Sequence, residues 1–350
     1  MVTDTHRDAR HESPCAPFAL SFRRVGRLAR TIAIAQGGSH SNINRLKRIP
    51  HNMNHRRFPL HAGLLQVDVL PAVGGSIARF DYAGPDGRQP LLRGTDDFYD
   101  DVLASGCFPL VPYANRIRGG SFQCDGRDVR LAPNLSGDAS PLHGHGWRTA
   151  WSVESVADDR IDMVFHHEAG EWPWAYEARQ HLVLSPEGLE IELSCRNLSA
   201  LPMPCGLGLH PYFPCTGDTL LDTKVSTVWT VDENVLPVDQ QPATGRYSLQ
   251  NRLIGNQNLD NGFDGWSGTA RIHWPGQSMA LEMSSADASY FQVYSPIGLD
   301  FFAAEPVQHA NAALNAPQEQ WPQLGIHLLA SGESRRLRVQ FKVSGNPANS

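Results

Sequence analysis

The chain lacks any apolar run approaching the roughly 18 residues of a membrane-spanning helix. None of its six cysteines forms a C-x-x-C pair. No stretch longer than about ten residues shows a clear 3.6-residue apolar period, and no segment repeats at a fixed spacing. Charged residues make up only 19%. These absences exclude a helical membrane anchor, a C-x-x-C metal or redox site, a helical bundle and a solenoid. The nearest approach to a signal-peptide core, residues 28–35, is short and interrupted by Arg30. A net charge of −6 offers nucleic acid no electrostatic footing. Cys15, Cys107, Cys124, Cys195, Cys205 and Cys215 are even in number, which permits disulfides. A chain of 350 residues does not need them. Free buried thiols in a soluble, cytoplasmic protein are the expectation.

Glycine (31) and proline (25) are plentiful, as in a turn-rich β protein. Apolar and polar residues alternate in 64–70 and again in 76–82, across the turn Pro71-Ala72-Val73-Gly74-Gly75. Residues 151–156 and 161–165 flank a hairpin turn, and so do 181–184 and 189–193. Near the end, Leu337, Val339, Phe341 and Val343 interleave with Arg336, Arg338, Gln340 and Lys342. Period two marks half-buried strands. Many short strands between turns imply a sandwich or a barrel.

Charge is unevenly spread. Residues 1–57 hold eleven Lys/Arg and three acids, leaving 19 basic and 33 acidic residues for 58–350, a formal balance of −14. Residues 1–55 are Arg-rich and without period, and Met53 precedes the first convincing strand. They read as a disordered or non-native extension, with translation starting at Met53 as one account and a transit peptide or basic partner-binding tail as others. Residues 56–350 read as a single β domain.

Five constellations carry chemistry. In Phe301-Phe302-Ala303-Ala304-Glu305-Pro306-Val307-Gln308-His309, residues 299–304 read as a short buried strand ended by Pro306. Glu305 then stands at a strand exit, where partial burial tunes a carboxylate towards base chemistry. The plainer account is a strand-end carboxylate paired with an arginine. Asn115-Arg116 precedes the strand 121–123, and the Arg116 guanidinium can donate two parallel hydrogen bonds to a polyol or pair with Glu305. It can equally be a solvated loop residue. His143 and His145 flank Gly144, and at i, i+2 on extended chain they point the same way. A sugar or a metal could use them, yet the next acid is Glu154, nine positions on, so a cupin-type ligand set is incomplete. His210 precedes Pro211 at another strand exit, able to hold or give a proton near neutral pH or simply to pack. Asp260 and Asp264 flank Asn261-Gly262, a turn signal.

In this order, Asn115-Arg116, Leu142-His143-Gly144, His210-Pro211-Tyr212-Phe213, Asp260-x-x-Phe263 and Glu305-Pro306-Val307-x-His309 resemble the aldose 1-epimerase (galactose mutarotase) family, in particular a bacterial branch with a Glu-Pro-Val-Ser-His-like segment. The resemblance covers about residues 60–345. It implies a large antiparallel β-sandwich, the mutarotase-like supersandwich, with a sugar held on one sheet. It implies interconversion of the α and β anomers of a free aldose, a hexose such as galactose or glucose, without cofactor or metal. Glu305 falls at the family's general base and His210 at its general acid. Arg116 and His143, with Asn115 beside them, match sugar-binding positions, and Asp260 matches the Asp-x-x-Phe acid, Asp264 being a lesser substitute. His145 receives no role. Gln308 stands where serine is common, which bears on the choice of sugar. A tryptophan face, from Trp147, Trp172 or Trp174, would stack on the sugar. The mechanism asks for an ionised Glu305 and a protonated His210. The protein is expected to be a monomer or homodimer with no membrane partner. The alternative is a non-catalytic or regulatory sugar-binding sandwich; a metal-dependent cupin-like enzyme and a glycosidase, which needs two flanking carboxylates, stand behind it.

Overall fold

A computed structural model of the chain describes residues 56–95 and 99–345. The expectations for residues 1–55, Met53 and Cys15 lie outside the described residues. Within them the protein is built of strands, with helical backbone confined to short 3-10 turns.

The first sheet has eleven strands. They are β1 (Phe58–Ala62), β2 (Leu65–Leu70), β3 (Ser76–Gly84), β4 (Gly87–Leu92) and β5 (Cys107–Leu110), then β13 (Gly208–Pro214), β15 (Thr227–Val231), β16 (Pro237–Pro242), β18 (Leu259–Asp264), β21 (Tyr290–Ser295) and β22 (Phe301–Val307). The second has nine: β8 (Ser152–Val156), β9 (Arg160–His167), β10 (Tyr176–Ser185), β11 (Gly188–Asn197), β14 (Leu220–Thr223), β17 (Arg252–Leu253), β19 (Thr269–His273), β20 (Met279–Ser284) and β24 (Ser334–Gly345). Two small ribbons complete the set: β6 (Ser121–Cys124) with β7 (Arg127–Arg130), and β12 (Met203–Cys205) with β23 (His327–Leu329). Every strand pair is antiparallel, for example β10 with β11 and β21 with β22. The large antiparallel β-sandwich expected from the resemblance is therefore the observed fold.

The alternating segments became strands with one wet face. In β24, Leu337, Val339 and Phe341 are buried while Arg336, Arg338 and Gln340 are exposed or half-exposed. The hairpins β8–β9 and β10–β11 fall where the turn residues place them. Inward residues of both sheets join one apolar core, including Phe213, Phe263, Phe291 and Phe302 from the first sheet and Leu182, Ile191, Val339 and Phe341 from the second. The five described cysteines are buried and free.

Three strand assignments needed correction. β22 runs through Glu305 and Pro306 to Val307, so Glu305 lies inside the strand rather than at its exit. β22 is buried on both faces, which hides the alternation that would have marked its length. Its ladder with β13 pairs Gly208 with Val307 and Tyr212 with Ala303, with no bridge between them. Pro211 and Pro306 fall in that lapse, where missing N–H groups leave no ladder bond unmade. His210 is likewise inside β13. Asn261-Gly262 is no turn: it lies within β18, paired throughout with β21.

Candidate functional site

One row of side chains crosses the face of the first sheet that points away from the second. Its members are set by register. Phe108 opposes His210. Extending the Gly208↔Val307 and Tyr212↔Ala303 pairs puts His210 opposite Glu305. Glu305 opposes Gln292, and Gln292 opposes Gly262. Neighbouring strands lie about 4.8 Å apart, so side chains along such a row touch.

The central contact is His210 Nε2 to Glu305 Oε1, 3.3 Å, with both side chains buried. The His210 ring stacks on Phe108 (centroids 4.6 Å) and against Tyr212 (4.5 Å). His210 Nδ1 and Glu305 Oε2 are buried with no hydrogen-bond partner among the described residues. Unpaired buried polar atoms are costly and uncommon, and here two of them flank one short contact.

Electrostatics favour the neutral forms. Burial holds Glu305 well above the usual carboxyl range, reinforced by the charge of Asp260 and opposed by Arg116. Burial, helped by the charge of the Arg93 guanidinium stacked on Tyr212, lowers His210 to about 3. The ionised Glu305 and protonated His210 that the mechanism asks for are thus not the resting forms of the free site.

His143 meets this pair from a loop. Its ring stands edge-on to His210, 5.4 Å between centroids. The backbone N–H of Asn115 donates to His143 Nδ1 (2.9 Å), and the His143 N–H donates to Asn115 O (2.9 Å). An accepting Nδ1 assigns the ring proton to Nε2. Burial, with His210 and Arg116 nearby, keeps His143 neutral. Asn115 and His143 both take left-handed backbone, φ 58° and 60°. Gly144 follows at φ 68°, and a Cβ there would lie 2.1 Å from Val111 O. Only glycine lets the loop sit this close to the end of β5. His143 and His145 therefore do not point the same way. His145 is helical in backbone and stacks on His167 at 4.1 Å, with Nδ1 beside the Tyr176 hydroxyl.

Arg116 does not pair with Glu305. Its Nε donates to Asp138 Oδ2 at 2.8 Å, and Nη1 donates to Asn115 Oδ1 at 3.2 Å. Its charge still reaches the row, lowering the pKa of both Asp260 and Glu305. Asp260 accepts from Gln292 Nε2 (2.8 Å), and burial pushes its pKa up to about 6. Asp264 is occupied at the sheet margin, accepting from Thr227 Oγ1 and Gln240 Nε2.

Gln308 points elsewhere. Its amide bonds Leu207 N, Asp287 O and Arg336 O, tying strands together rather than facing the row. Trp147, Trp172 and Trp174 are all buried in aromatic packing, so none offers a face to a sugar. Trp229, half-buried on β15, stands beside Gly262: a Cβ at 262 would lie 3.9 Å from Trp229 Cδ1. Gln292, Asp138 and Trp229 are the site residues that sequence reasoning missed. A lone glutamine among the aromatics of Tyr290-Phe291-Gln292-Val293-Tyr294 was the available signal for the first.

Among the described residues, no three His, Cys, Asp or Glu side chains are grouped to hold a metal ion, and no helix is long and apolar enough to cross a membrane.

A large antiparallel sandwich with a buried His210–Glu305 contact on one sheet narrows the class, and comparison with known proteins identifies it. The chain belongs to the aldose 1-epimerase family, whose profile matches residues 60–342. It is 34% identical over 297 residues to the uncharacterised Escherichia coli K12 protein YphB, covering 82% of this chain and 98% of that one. It is 24% identical over 226 residues to human galactose mutarotase, covering 59% and 65%. An Escherichia coli K12 crystal structure, named only provisionally as an aldose 1-epimerase, aligns with a TM-score of 0.77 at 31% identity, covering 83% of this chain and 99% of that chain. A galactose mutarotase-like protein from Clostridium acetobutylicum shares the fold, with a TM-score of 0.74 at 18% identity over 83% and 96%.

Proposed function

We propose that residues 56–350 form an aldose 1-epimerase that interconverts the α and β anomers of a free hexose, such as galactose or glucose. The observation that carries this reading is the 3.3 Å contact between His210 Nε2 and Glu305 Oε1, with one unpartnered buried atom on each side chain. Family membership supports the reaction class. A relative named galactose mutarotase supports the substrate class.

The resting pair is neutral, yet its chemistry is available. A protonated Glu305 with neutral His210 shares one transferable proton. So does an ionised Glu305 with protonated His210. The two arrangements are tautomers, related by one transfer across a 3.3 Å gap. Sugar hydroxyls beside the pair supply polar surroundings, and these favour the charge-separated form. Glu305 then takes the proton of the C1 hydroxyl while His210 gives one to the ring oxygen. The bond from C1 to the ring oxygen breaks and the C1 carbonyl forms. Rotation about the C1–C2 bond presents the other carbonyl face. Ring closure returns one proton to His210 and the other, from Glu305, to the carbonyl oxygen. No cofactor enters this cycle. Arg116 and neutral His143, through Nε2–H, donate to sugar oxygens, and Asp260 accepts from a hydroxyl.

The test is anomer exchange by NMR or polarimetry over a panel of aldoses. Acceleration above the spontaneous rate is expected for at least one hexose. Binding without acceleration would replace this reading with that of a non-catalytic sugar-binding sandwich.

A further inference from the structure

Arg93, the residue after β4, has no part in the proton transfers above, yet only the Tyr212 ring separates it from His210. Its backbone N–H donates to Tyr212 O (2.7 Å), and its guanidinium lies over the rings of Tyr212 and Phe301, 3.9 and 4.3 Å from their centroids. The Tyr212 ring in turn lies 4.5 Å from the His210 ring. Nη2 of Arg93 donates to the carbonyls of Leu103 and Ser105, and its Nε is buried with no hydrogen-bond partner. Among the described residues no carboxylate forms an ion pair with it; Asp101 and Asp300 act on it only through space. A guanidinium stays charged in a protein. A largely buried cation without a counter-ion is costly. Packing against two aromatic rings would be served by methionine.

We propose that Arg93 is a positioning residue for the proton of the His210–Glu305 pair: its unpaired charge holds that proton on Glu305 at rest and primes His210, once charged, to give it up. The proposal rests on the aldose 1-epimerase reading. The titratable and charged groups facing His210 are Glu305 on β22, Cys107 on β5, His143 on its loop, Tyr212 two residues along β13, and Arg93. Burial keeps Glu305, Cys107, His143 and Tyr212 in their uncharged forms. Arg93 is therefore the cation that acts on the ring at rest, and it opposes a second positive charge there. The charges that act on Glu305 are those of Asp260 and Arg116 instead. Arg93 thus bears on one end of the pair and not on the other. An imidazolium beside a fixed cation is the stronger acid, which suits the group that must protonate the ring oxygen.

The test uses the full chain carrying Arg93→Met, which removes the charge, beside Arg93→Lys, which keeps the charge and loses the planar fork. Nitrogen-15 NMR of the His210 ring, assigned with His210→Gln, reads its protonation directly. Losing a unit charge about 8 Å away, across the Tyr212 ring, is expected to raise the midpoint by about one pH unit in Arg93→Met. Arg93→Lys is expected to stay within about half a unit of wild type. The acidic limb of kcat should move with the midpoint, because a proton added to His210 while Glu305 keeps its own leaves the pair without a base. A role confined to packing would leave both readings unmoved in Arg93→Met. An unmoved midpoint there, an equal shift in Arg93→Lys, or a moved midpoint with an unmoved limb overturns the proposal. A reading in the unmutated protein guards against variants that fail to fold. At about pH 5, where an ordinary histidine is charged, the His210 ring should carry one proton, and a doubly protonated ring overturns the proposal. These NMR readings do not depend on catalysis. An inactive wild-type chain that still gives them overturns the aldose reading, not the effect of the Arg93 charge.

Discussion

Glu305 and His210, from adjacent strands and 95 positions apart in sequence, meet at 3.3 Å in a site where burial drives both to their uncharged forms. A stable ion pair there would bind its own proton tightly and yield it reluctantly. In the proposed reaction, a neutral pair with one mobile proton becomes acid and base when the sugar arrives. The structure thus changes the expected resting state, while the expected chemistry stands as the proposal.

Glu305→Gln removes the proposed base and preserves shape. Mutarotation should fall by about 10²–10⁴-fold, the usual contribution of a positioned proton acceptor. Sugar affinity should stay within about threefold of wild type, because the binding groups Arg116, His143 and Asp260 are untouched. Polarimetry and equilibrium binding check the two halves. Full activity in the variant would remove Glu305 from the reaction.

The same pair sets how stability follows pH. Glu305 has a pKa raised above its ordinary 4.5 on folding, so the folded state binds its proton more tightly than the unfolded state. That contribution is fully present below pH 4.5 and is lost as pH rises through the folded value. His210 is lowered from 6.5 to about 3, so the unfolded state takes up its proton first. Stability is therefore lost as pH falls from 6.5 towards 3. Thermal unfolding should show Glu305→Gln gaining on wild type as pH rises above 4.5. It should show His210→Gln gaining as pH falls below 6.5. Parallel curves for wild type and both variants would contradict the burial argument.

What could be read from sequence divides along physical lines. Strands with one wet face, such as β24 with Leu337, Val339 and Phe341 inward, announce themselves by alternation. β22 does not, because both of its faces are covered and Pro306 imitates a stop signal. Asn261-Gly262 imitates a turn for a related reason. Local preference there is overruled by the ladder to β21, and glycine serves instead to leave room between Gln292 and Trp229. Glu305, His210, Arg116, His143 and Asp260 were legible only through their order along the chain. Gln292 left only a lone polar residue among aromatics, and Asp138 left no signal at all. Their roles exist across 32 and 22 positions of sequence, in hydrogen bonds that nothing local foretells.

Asp138→Asn tests the second of those contacts. The Arg116 Nε to Asp138 Oδ2 bond is charge-assisted and part-buried, and it orients the guanidinium. With a neutral amide in its place, Arg116 keeps its charge and loses its orientation. KM should rise roughly tenfold, equivalent to about 1.4 kcal/mol, with kcat less affected. Arg116→Lys should behave similarly, since lysine cannot hold Asp138 and Asn115 in one planar fork. A variant that leaves KM unchanged would show that Arg116 needs no such brace.

Gly144→Ala addresses the loop that carries His143. The residue sits at φ 68°, and its Cβ would stand 2.1 Å from Val111 O, a backbone atom that cannot step aside. Left-handed backbone alone costs a non-glycine residue about 1–2 kcal/mol. The clash should push the loop off β5, parting the paired bonds between Asn115 and His143 and losing the Nε2–H tautomer they impose. The expected result is a lower melting temperature together with an activity loss larger than that of His143→Gln, because Asn115 and Arg116 shift with the loop. His143→Gln should lower activity while leaving the melting temperature nearly unchanged. Activity in Gly144→Ala at or above the His143→Gln level would mean that the loop holds its site residues by contacts other than these.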